Sequence, residues 1–294
     1  MRIVVVSGLS GSGKSTALHM LEDLGYYCID NLPAALLKPF ISHTVRSAQS
    51  TYERSAIGLD ARNTAPEIAR VPELIGELNS SGIDCEVLYL LASDEELLRR
   101  FAETRRKHPM SRESRPLSEA IDTERRLLEP IAYAADLTID TSRMGIHELR
   151  QVVRLRVEQR ATGSLSITFQ SFGFKLGIPG DADFVFDARS LPNPYWEPAL
   201  RELTGRDAPV IAYLENHASV SRLIDDIDRF VDARIPEYQA SARSYLTVAV
   251  GCTGGRHRSV YIVDRLAARF AARNFQVAAR HRVLNGAVAL AADQ

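Results

Sequence analysis

The 294-residue chain has only three cysteines, one tryptophan and almost no net charge. Three cysteines are too few for a disulfide framework, so a reducing compartment such as the cytoplasm is expected. No apolar run approaches the roughly 18 residues that a membrane span needs, and the run Ile3–Val6 is too short for a signal peptide. We therefore expect neither a membrane segment nor an export signal.

The formal net charge of -1 gives no overall reason to expect a nucleic-acid partner, so charge has to be considered region by region. With 45% hydrophobic and 25% charged residues, the composition is that of an ordinary globular protein. The length favours two domains, each large enough to bury a core.

Strand-like apolar runs alternate with helix-period stretches through the first half, which predicts a parallel sheet flanked by helices. The predicted strands are Ile3–Ser7, Tyr27–Ile29, Ser55–Leu59, Glu86–Leu91 and Leu137–Ile139, and the predicted helices begin near Lys14, Asp94, Ser118 and Ile146. Small residues at Ala161–Ser164 indicate a linker. We therefore place one domain at 1–160 and a second at 161–294.

The second half predicts another α/β domain. Its predicted strands are Ser166–Gln170, Phe184–Asp187, Val210–Tyr213 and Tyr245–Val250, followed by a helix from about Ser259 to Arg273.

One segment near the start fits the pattern G-x-x-x-x-G-K-[ST], and it lies between an apolar strand and a helix, as that pattern requires. Its residues are Gly8, Leu9, Ser10, Gly11, Ser12, Gly13, Lys14 and Ser15. Backbone N–H groups of such a loop wrap phosphate oxygens, and the helix N-terminus favours the same anion. We expect Lys14 to meet the β- and γ-phosphates and Ser15 to ligate Mg²⁺. The segment predicts a P-loop kinase-like domain that binds a purine nucleoside triphosphate.

A carboxylate at the end of a neighbouring strand should complete the magnesium site. Asp60 is favoured because a uniformly apolar run, Ala56–Leu59, precedes it. Asp30 also ends a strand and competes for this role or for that of positioning a nucleophile. Either aspartate could instead be a turn residue or a helix cap.

The stretch Leu97–Pro109 carries two basic clusters, as in the arginine-bearing lids that small-molecule kinases close over phosphates. The alternative is a solvated helix face, since Arg99 and Glu103 form an i,i+4 pair. A small-molecule kinase is therefore a second functional hypothesis.

A second anion-binding loop follows the apolar strand in the C-terminal half. Its residues are Cys252, Thr253, Gly254, Gly255, Arg256, His257, Arg258 and Ser259. Cys252 and Arg258 have the C-x-x-x-x-x-R spacing of tyrosine phosphatases, in which a thiolate attacks phosphorus and the arginine forks around the oxygens. Phosphate binding is favoured, with a working phosphatase or a structural turn as alternatives, because the sequence cannot place a general acid such as Asp187. The second domain is thus predicted to be a smaller α/β unit with a phosphate-binding Cys-x5-Arg loop.

The region from Arg256 to Arg282 contains seven arginines and a single acid, Asp264. Its possible RNA contacts are Arg265, Arg269, Arg273, Arg280 and Arg282. The first three recur every four residues and would share one helix face, which could follow a phosphate backbone. A solvated face or an oligomer contact is the alternative. Upstream, Trp196 in a proline-rich turn could pack or touch a ligand.

Together these motifs resemble the RapZ/YvcJ family of P-loop nucleotide-binding proteins, some of which are RNase adapter proteins. The resemblance spans nearly the whole chain. It is carried by Ser7–Ser15, Tyr27–Pro33, Asp60–Asn63, Phe172–Lys175, Leu191–Pro194 and Gly251–Tyr261.

The resemblance implies ATP at Gly8–Ser15 and weak ATPase and GTPase activity with Mg²⁺. It implies that GTP contacts Asp60, Ala61, Arg62 and Asn63. The second domain is implied to bind glucosamine-6-phosphate through the loop at Cys252–Ser259. It would also bind a small RNA and present it to an endoribonuclease that tunes amino-sugar synthesis. A homo-oligomer is also expected.

The sequence departs from the adapter pattern at two places. Tyr195 stands where those proteins commonly have histidine, and residues 285–294 lack the lysines of their tail. Fewer cationic contacts to RNA are therefore expected.

Overall fold

The computed structural model describes residues 1–47, 52–104, 107–111, 116–158, 165–240, 243 and 245–284. Two compact units are formed, Met1–Val157 and Glu158–Gln294, called unit 1 and unit 2 below. The predicted linker at 161–164 and the tail at 285–294 lie outside the described residues.

Unit 1 is built on a five-stranded sheet in which every pair of neighbours is parallel, in the order β2-β3-β1-β4-β5. The strands are β1 (Arg2–Gly8), β2 (Tyr27–Ile29), β3 (Arg54–Gly58), β4 (Asp84–Leu91) and β5 (Leu137–Asp140). The helices are α1 (Lys14–Asp23), α2 (Leu37–Ser47), α3 (Ala65–Ala69), α4 (Val71–Ser80), α5 (Asp94–Thr104), α6 (Leu117–Tyr133) and α7 (Ile146–Glu158). All five predicted strands are present, with ends shifted by at most two residues.

The central strand β1 explains where the site of unit 1 lies. Ile3–Val6 are completely buried, as expected for a parallel strand in the middle of a covered sheet. Parallel strands end at one edge, so the segments that follow β1, β2 and β3 meet there. Gly8, Asp30 and Asp60 are thereby brought to the same edge.

Unit 2 has a four-stranded parallel sheet in the order β7-β8-β6-β9. Its strands are β6 (Ser166–Gly173), β7 (Phe184–Asp187), β8 (Tyr245–Cys252) and β9 (Gln276–His281), and its helices are α8 (Ala208–Glu215), α9 (Ala218–Ala240) and α10 (Arg258–Ala271). Gly173 pairs with Cys252, so β6 and β8 end side by side at the cysteine loop.

The predicted strand Val210–Tyr213 is wrong, because these residues lie in helix α8. A short apolar run does not by itself distinguish a buried strand from a buried helix. The deciding signals are Asp207 in the N-cap position and Pro209 in the first turn, after which Val210 and Leu214 are buried one helical turn apart.

The long helix α9 was not predicted. Among the described residues, no helix is both long enough and apolar enough to cross a membrane.

Candidate functional site

The segment Gly8–Ser15 connects β1 to α1 through backbone conformations that glycine adopts without strain. Gly8 has a φ of 143° and Gly13 a φ of 106°. A Cβ at Gly8 would collide with the Leu90 carbonyl oxygen, and one at Gly13 would collide with the Leu149 side chain. The loop is therefore tightly curved at the N-terminus of α1, where unpaired helix N–H groups favour an anion.

Lys14, the first residue of α1, donates a hydrogen bond from Nζ to the Gly8 carbonyl oxygen at 2.7 Å. Burial lowers the pKa of Lys14 below its ordinary value, while three carboxylates oppose this shift. These are Glu124, Asp60 and Asp30. The Lys14 ammonium thus spans the loop to the Gly8 carbonyl oxygen, and a phosphate oxygen can replace that carbonyl as its acceptor.

A cavity of about 900 Å³ opens beside this loop, within the usual range of ligand pockets. Five of the eight predicted loop residues line it, namely Ser10, Gly11, Gly13, Lys14 and Ser15. The cavity is also lined by Asp30, Asp60 and Arg62 from the strand ends. The structure therefore brings the predicted loop and both candidate aspartates to one space.

The two aspartates have different surroundings. The nearly buried Asp60 accepts hydrogen bonds at Oδ1 from the Arg62 backbone N–H at 2.9 Å and, with the side-chain amide of Asn31 oriented to suit its neighbours, from that amide at 2.7 Å. Asp30 is exposed, and a Cβ at Gly58 would lie only 2.8 Å from its Oδ1. Asp60 is thus fixed as a metal ligand should be, whereas Asp30 is free to meet a nucleophile. Both roles remain predictions.

The implied GTP contact at Asp60–Asn63 divides into two parts. Asn63 is buried and uses both ends of its amide: Oδ1 accepts from the Ala34 N–H at 2.6 Å, and Nδ2 donates to the Asp60 carbonyl at 3.1 Å. Ala61 is also buried. Only Asp60 and Arg62 of this segment line the cavity, so these two carry the prediction of a GTP contact.

The basic stretch in α5 has elements of both alternatives. Arg99 pairs with Glu96 and Glu103 on the exposed helix surface, as the surface alternative expects. Arg100 donates to the Gly11 carbonyl oxygen at 2.9 Å and so holds the Gly8–Ser15 loop, called the phosphate loop below. Both arginines line the cavity. The second basic cluster includes residues 105 and 106, which lie outside the described residues.

Sequence reasoning missed two groups that hold the loop. Thr141 donates from Oγ1 to the Ser12 carbonyl oxygen at 2.9 Å. Glu124 is completely buried and accepts from the Ser10 N–H at 2.9 Å, from Ser10 Oγ at 2.7 Å and from His108 Nε2 at 2.9 Å.

A periodic signal could have found Glu124. It lies on the buried face of α6, whose other members are Ala120, Ile121, Leu128 and Ile131. A charged residue on an apolar helical stripe requires partners, and that requirement points to a site.

In unit 2, Cys252 ends β8 and is buried. Its Sγ lies 3.2 Å from Ser259 Oγ and accepts from the Gly255 N–H at 3.3 Å. Gly255 has a φ of 74°, and a Cβ on Gly173 would come within 2.7 Å of the Gly254 carbonyl carbon. The loop is therefore compact and packed against the end of β6.

The arginine expected to fork around phosphate contacts the backbone of this chain. Arg258 is 3% exposed, and its Nη1 donates to the carbonyl oxygens of Arg189 and Leu191, both at 2.9 Å. Its Nη2 reaches Thr253 Oγ1 at 3.3 Å, and among the described residues its buried Nε has no hydrogen-bond partner. Arg258 thus holds the 189–191 segment, and its Nε–H is available to a ligand.

The other two basic residues of the loop contact the same connection between β7 and α8. Arg256 donates to the carbonyl oxygens of Glu202 and Leu203. His257 Nε2 lies 3.2 Å from the Leu200 carbonyl oxygen, and burial lowers its pKa. The 252–259 loop and the 189–203 segment therefore form one hydrogen-bonded structure.

The phosphatase alternative lacks a suitable proton donor at Asp187. A hydrogen bond and ion pair with Arg189, 2.7 Å at its closest, hold the pKa of Asp187 below its usual value. The carboxyl group is therefore ionised at neutral pH and cannot readily protonate a leaving group.

The proline-rich turn presents its aromatics outward. Trp196 is 73% exposed and Tyr195 is 47% exposed, with the Arg201 guanidinium 4.9 Å from the Tyr195 ring centroid. Trp196 is therefore not a core residue.

Arg265 and Arg269 lie one turn apart on α10, and Arg273 lies just after this helix, which ends at Ala271 and not at Arg273 as predicted. Carboxylates of α8 and α9 pair with all three arginines. Arg265 pairs with Glu215, Arg269 with Asp225 and Asp228, and Arg273 with Asp228 and Asp232. At the end of β9, Arg280 lies 3.8 Å from Asp181. Much of the positive charge counted in the sequence is thus balanced by acids that are distant in the chain, and RNA binding by these residues and Arg282 stays a prediction.

Comparison with known proteins assigns both units. The profile described as the RapZ-like N-terminal domain matches residues 1–161, and that of the RapZ C-terminal domain matches 165–285. A protein named nucleotide-binding protein from Thioalkalivibrio sulfidiphilus is 51% identical over 97% of this chain and 100% of its own length. A protein of the same kind from Methylococcus capsulatus is 51% identical over 97% of this chain and 96% of its own.

Among solved structures, shikimate kinase from Bacteroides thetaiotaomicron is similar at 14% identity, over 53% of this chain and 98% of that one, with a TM-score of 0.36. The matches to both family profiles and the full-length relatives show that this chain belongs to the RapZ family.

Proposed function

We propose that the protein is a regulatory nucleotide-binding protein that binds ATP with Mg²⁺ in unit 1, hydrolyses it slowly and accepts GTP as a second nucleotide. The observation that carries this proposal is the cavity lined by Lys14 and Ser15 from the Gly8–Ser15 loop and by Asp60 from the segment after β3. The full-length relatives are named nucleotide-binding protein, which agrees with it.

The residues present fit a magnesium ion bound together with a triphosphate. The described residues hold no cluster of three or more His, Cys, Asp or Glu side chains suited to a metal. Mg²⁺ does not need such a cluster, because it usually keeps several waters and takes one or two protein ligands plus phosphate oxygens. Ser15 and Asp60 would hold it, and when bound it would neutralise charge on the β- and γ-phosphates.

The side chains around the cavity have distinct tasks. Lys14 would exchange its contact with the Gly8 carbonyl for phosphate oxygens. Arg99 lies along the cavity wall, where its positive charge favours the anion. Asp30 would orient the attacking water and accept its proton.

A small-molecule kinase is the second candidate, because Asp30 and Arg62 line the same cavity as the loop. ATP labelled at the γ-phosphate, incubated with the protein and a metabolite extract, separates the two. We expect the label to appear slowly as free phosphate and Asp30→Asn to reduce its release about 100-fold or more, as is typical when a positioned base is lost. Label that accumulates on a metabolite would instead establish the kinase.

For unit 2 we propose glucosamine-6-phosphate as the ligand of the 252–259 loop and an RNase adapter role for the protein. Support comes from a compact loop at the N-terminus of the 14-residue helix α10, together with the unpartnered Nε of Arg258. Lys175 lies at the same end of the sheet, with its backbone N–H bonded to the Thr253 carbonyl. Such a sensor would link the level of an amino-sugar phosphate to RNA presentation to a nuclease.

The RNA proposal needs variants that do not place a like charge at the ion pairs of Arg265, Arg269 and Arg273. Changing Arg265, Arg269 and Arg273 to glutamate should abolish RNA binding, but it also sets each new carboxylate against an acid of α8 or α9. Changing all three to glutamine removes the charge without that repulsion. We expect the glutamine variant to bind a labelled stem–loop RNA more weakly and with a shallower salt dependence than wild type.

Gel-shift titrations over a salt series, together with melting temperatures, check this result. Undiminished binding by a folded glutamine variant would remove this face from the RNA proposal.

A further inference from the structure

Glu124 is an ionised group in the interior of unit 1. Burial opposes its ionisation, but hydrogen bonds from His108 and Ser10 and the positive charge of Lys14 hold its pKa below the usual value. A buried carboxylate is tolerated only when its oxygens are satisfied by donors, as they are here. Its three donors come from two separate segments, the phosphate loop and residues 107–111.

The 107–111 segment is organised around His108. The ring Nδ1 accepts from the Met110 N–H at 3.1 Å, which assigns the ring proton to Nε2, where it is donated to Glu124. The neighbours Lys107 and Pro109 line the same cavity as the phosphate loop. One carboxylate therefore connects the loop with part of the cavity wall.

We propose that Glu124 is a positioning residue for the triphosphate: it fixes Ser10 in the phosphate loop and anchors the wall at Lys107 and Pro109. The inference rests on the proposed nucleotide binding and deepens it. Glu124 acts through these neighbours and need not touch the ligand.

Two substitutions test the hydrogen bonds of Glu124. Glu124→Gln can keep all three contacts, because its amide oxygen can accept from the Ser10 N–H and His108 while its nitrogen donates to Ser10 Oγ. Glu124→Ala loses all three. Glu119, exposed on the same helix, supplies the matched control substitutions.

Titration of the full chain with Mg–ATP at pH 7 tests the hydrogen bonds. We expect Glu124→Ala to lower the affinity roughly 10- to 100-fold, corresponding to one or two lost charged hydrogen bonds. Glu124→Gln should stay within about threefold of wild type, as should both Glu119 variants.

Melting temperatures distinguish positioning from a merely structural role. A structural glutamate would lower the melting temperature of Glu124→Ala without lowering the affinity of the folded protein for ATP. A positioning role lowers the affinity of folded Glu124→Ala and is rescued by Glu124→Gln, which keeps the three contacts.

The inference is overturned if folded Glu124→Ala binds ATP as tightly as wild type. If Glu124→Ala does not fold, His108→Ala, which removes the contact that anchors the wall at Lys107 and Pro109, takes its place, and wild-type affinity for ATP in that variant overturns the inference. A wild-type protein that binds no nucleotide would overturn the proposed function itself, and this inference with it, which distinguishes the two failures.

Discussion

Replacing Lys14 with methionine is expected to reduce the affinity for Mg–ATP on the order of a hundredfold or more. The ammonium is the cation that the loop holds across its concave side, and each charged hydrogen bond to phosphate contributes about 1.5–3 kcal/mol. Methionine fills much of the same volume but cannot donate. Calorimetric titration of the full chain with Mg–ATP measures the loss.

Stability distinguishes this result from a damaged fold. Lys14 is half-buried, and the cost of its partial burial offsets its attraction to Glu124, so removing its charge should change the melting temperature little. Lys38→Met is the matched control, since the Lys38 side chain is exposed and pairs only weakly with Glu77 at the surface. Binding within threefold of wild type in Lys14→Met would contradict the assignment of the site.

Replacing Arg258 with methionine is expected to destabilise unit 2 by about 2–4 kcal/mol and to abolish binding of glucosamine-6-phosphate. The substitution leaves the buried Leu191 carbonyl oxygen and the partly buried Arg189 carbonyl oxygen without their donor, and an unsatisfied buried group costs about 1–3 kcal/mol. It also removes the unpartnered Nε, which is the group proposed to meet the ligand.

Hydrogen exchange of residues 189–203 and calorimetry with glucosamine-6-phosphate measure the two effects separately. Arg229→Met is the control, because Arg229 is exposed on α9, where it pairs with Asp226 and donates to the Asp225 carbonyl of its own helix. Glucosamine-6-phosphate that still binds to Arg258→Met would move the sugar-phosphate site away from this arginine. Unchanged exchange of 189–203 would mean that Arg258 does not hold that segment.

The phosphate loop could be predicted from the sequence because its requirements are local. Gly8 and Gly13 set the backbone, and Lys14 and Ser15 follow at fixed spacing on the first turn of one helix. Asp60 was also within reach, because strand ends of a parallel sheet meet at one edge. Helix α8 was missed, since a short apolar run fits a strand and a helix equally well.

The Cys-x5-Arg spacing could be read from the sequence, but the contacts of its arginine could not. Spacing places Cys252 and Arg258 at opposite ends of one loop, as predicted, but it does not determine where the guanidinium points. Here it points to the carbonyl oxygens of Arg189 and Leu191, about seventy positions earlier in the chain. Arg265 and Arg269 of α10 likewise pair with acids on other helices, and their spacing in the sequence does not reveal these partners.

The sequence by itself determined the two α/β units, the phosphate loop and the positions of the basic residues, because backbone propensity, apolar periodicity and short-range spacing are encoded locally. Only the tertiary structure decided which charged side chains pair with other residues of the protein and which remain available to a ligand. It placed Glu124 within hydrogen-bond distance of Ser10, and Arg258 within hydrogen-bond distance of the 189–191 segment. The reason is physical: a buried charge must find its partners in space, and contacts between residues distant in the chain exist only after folding.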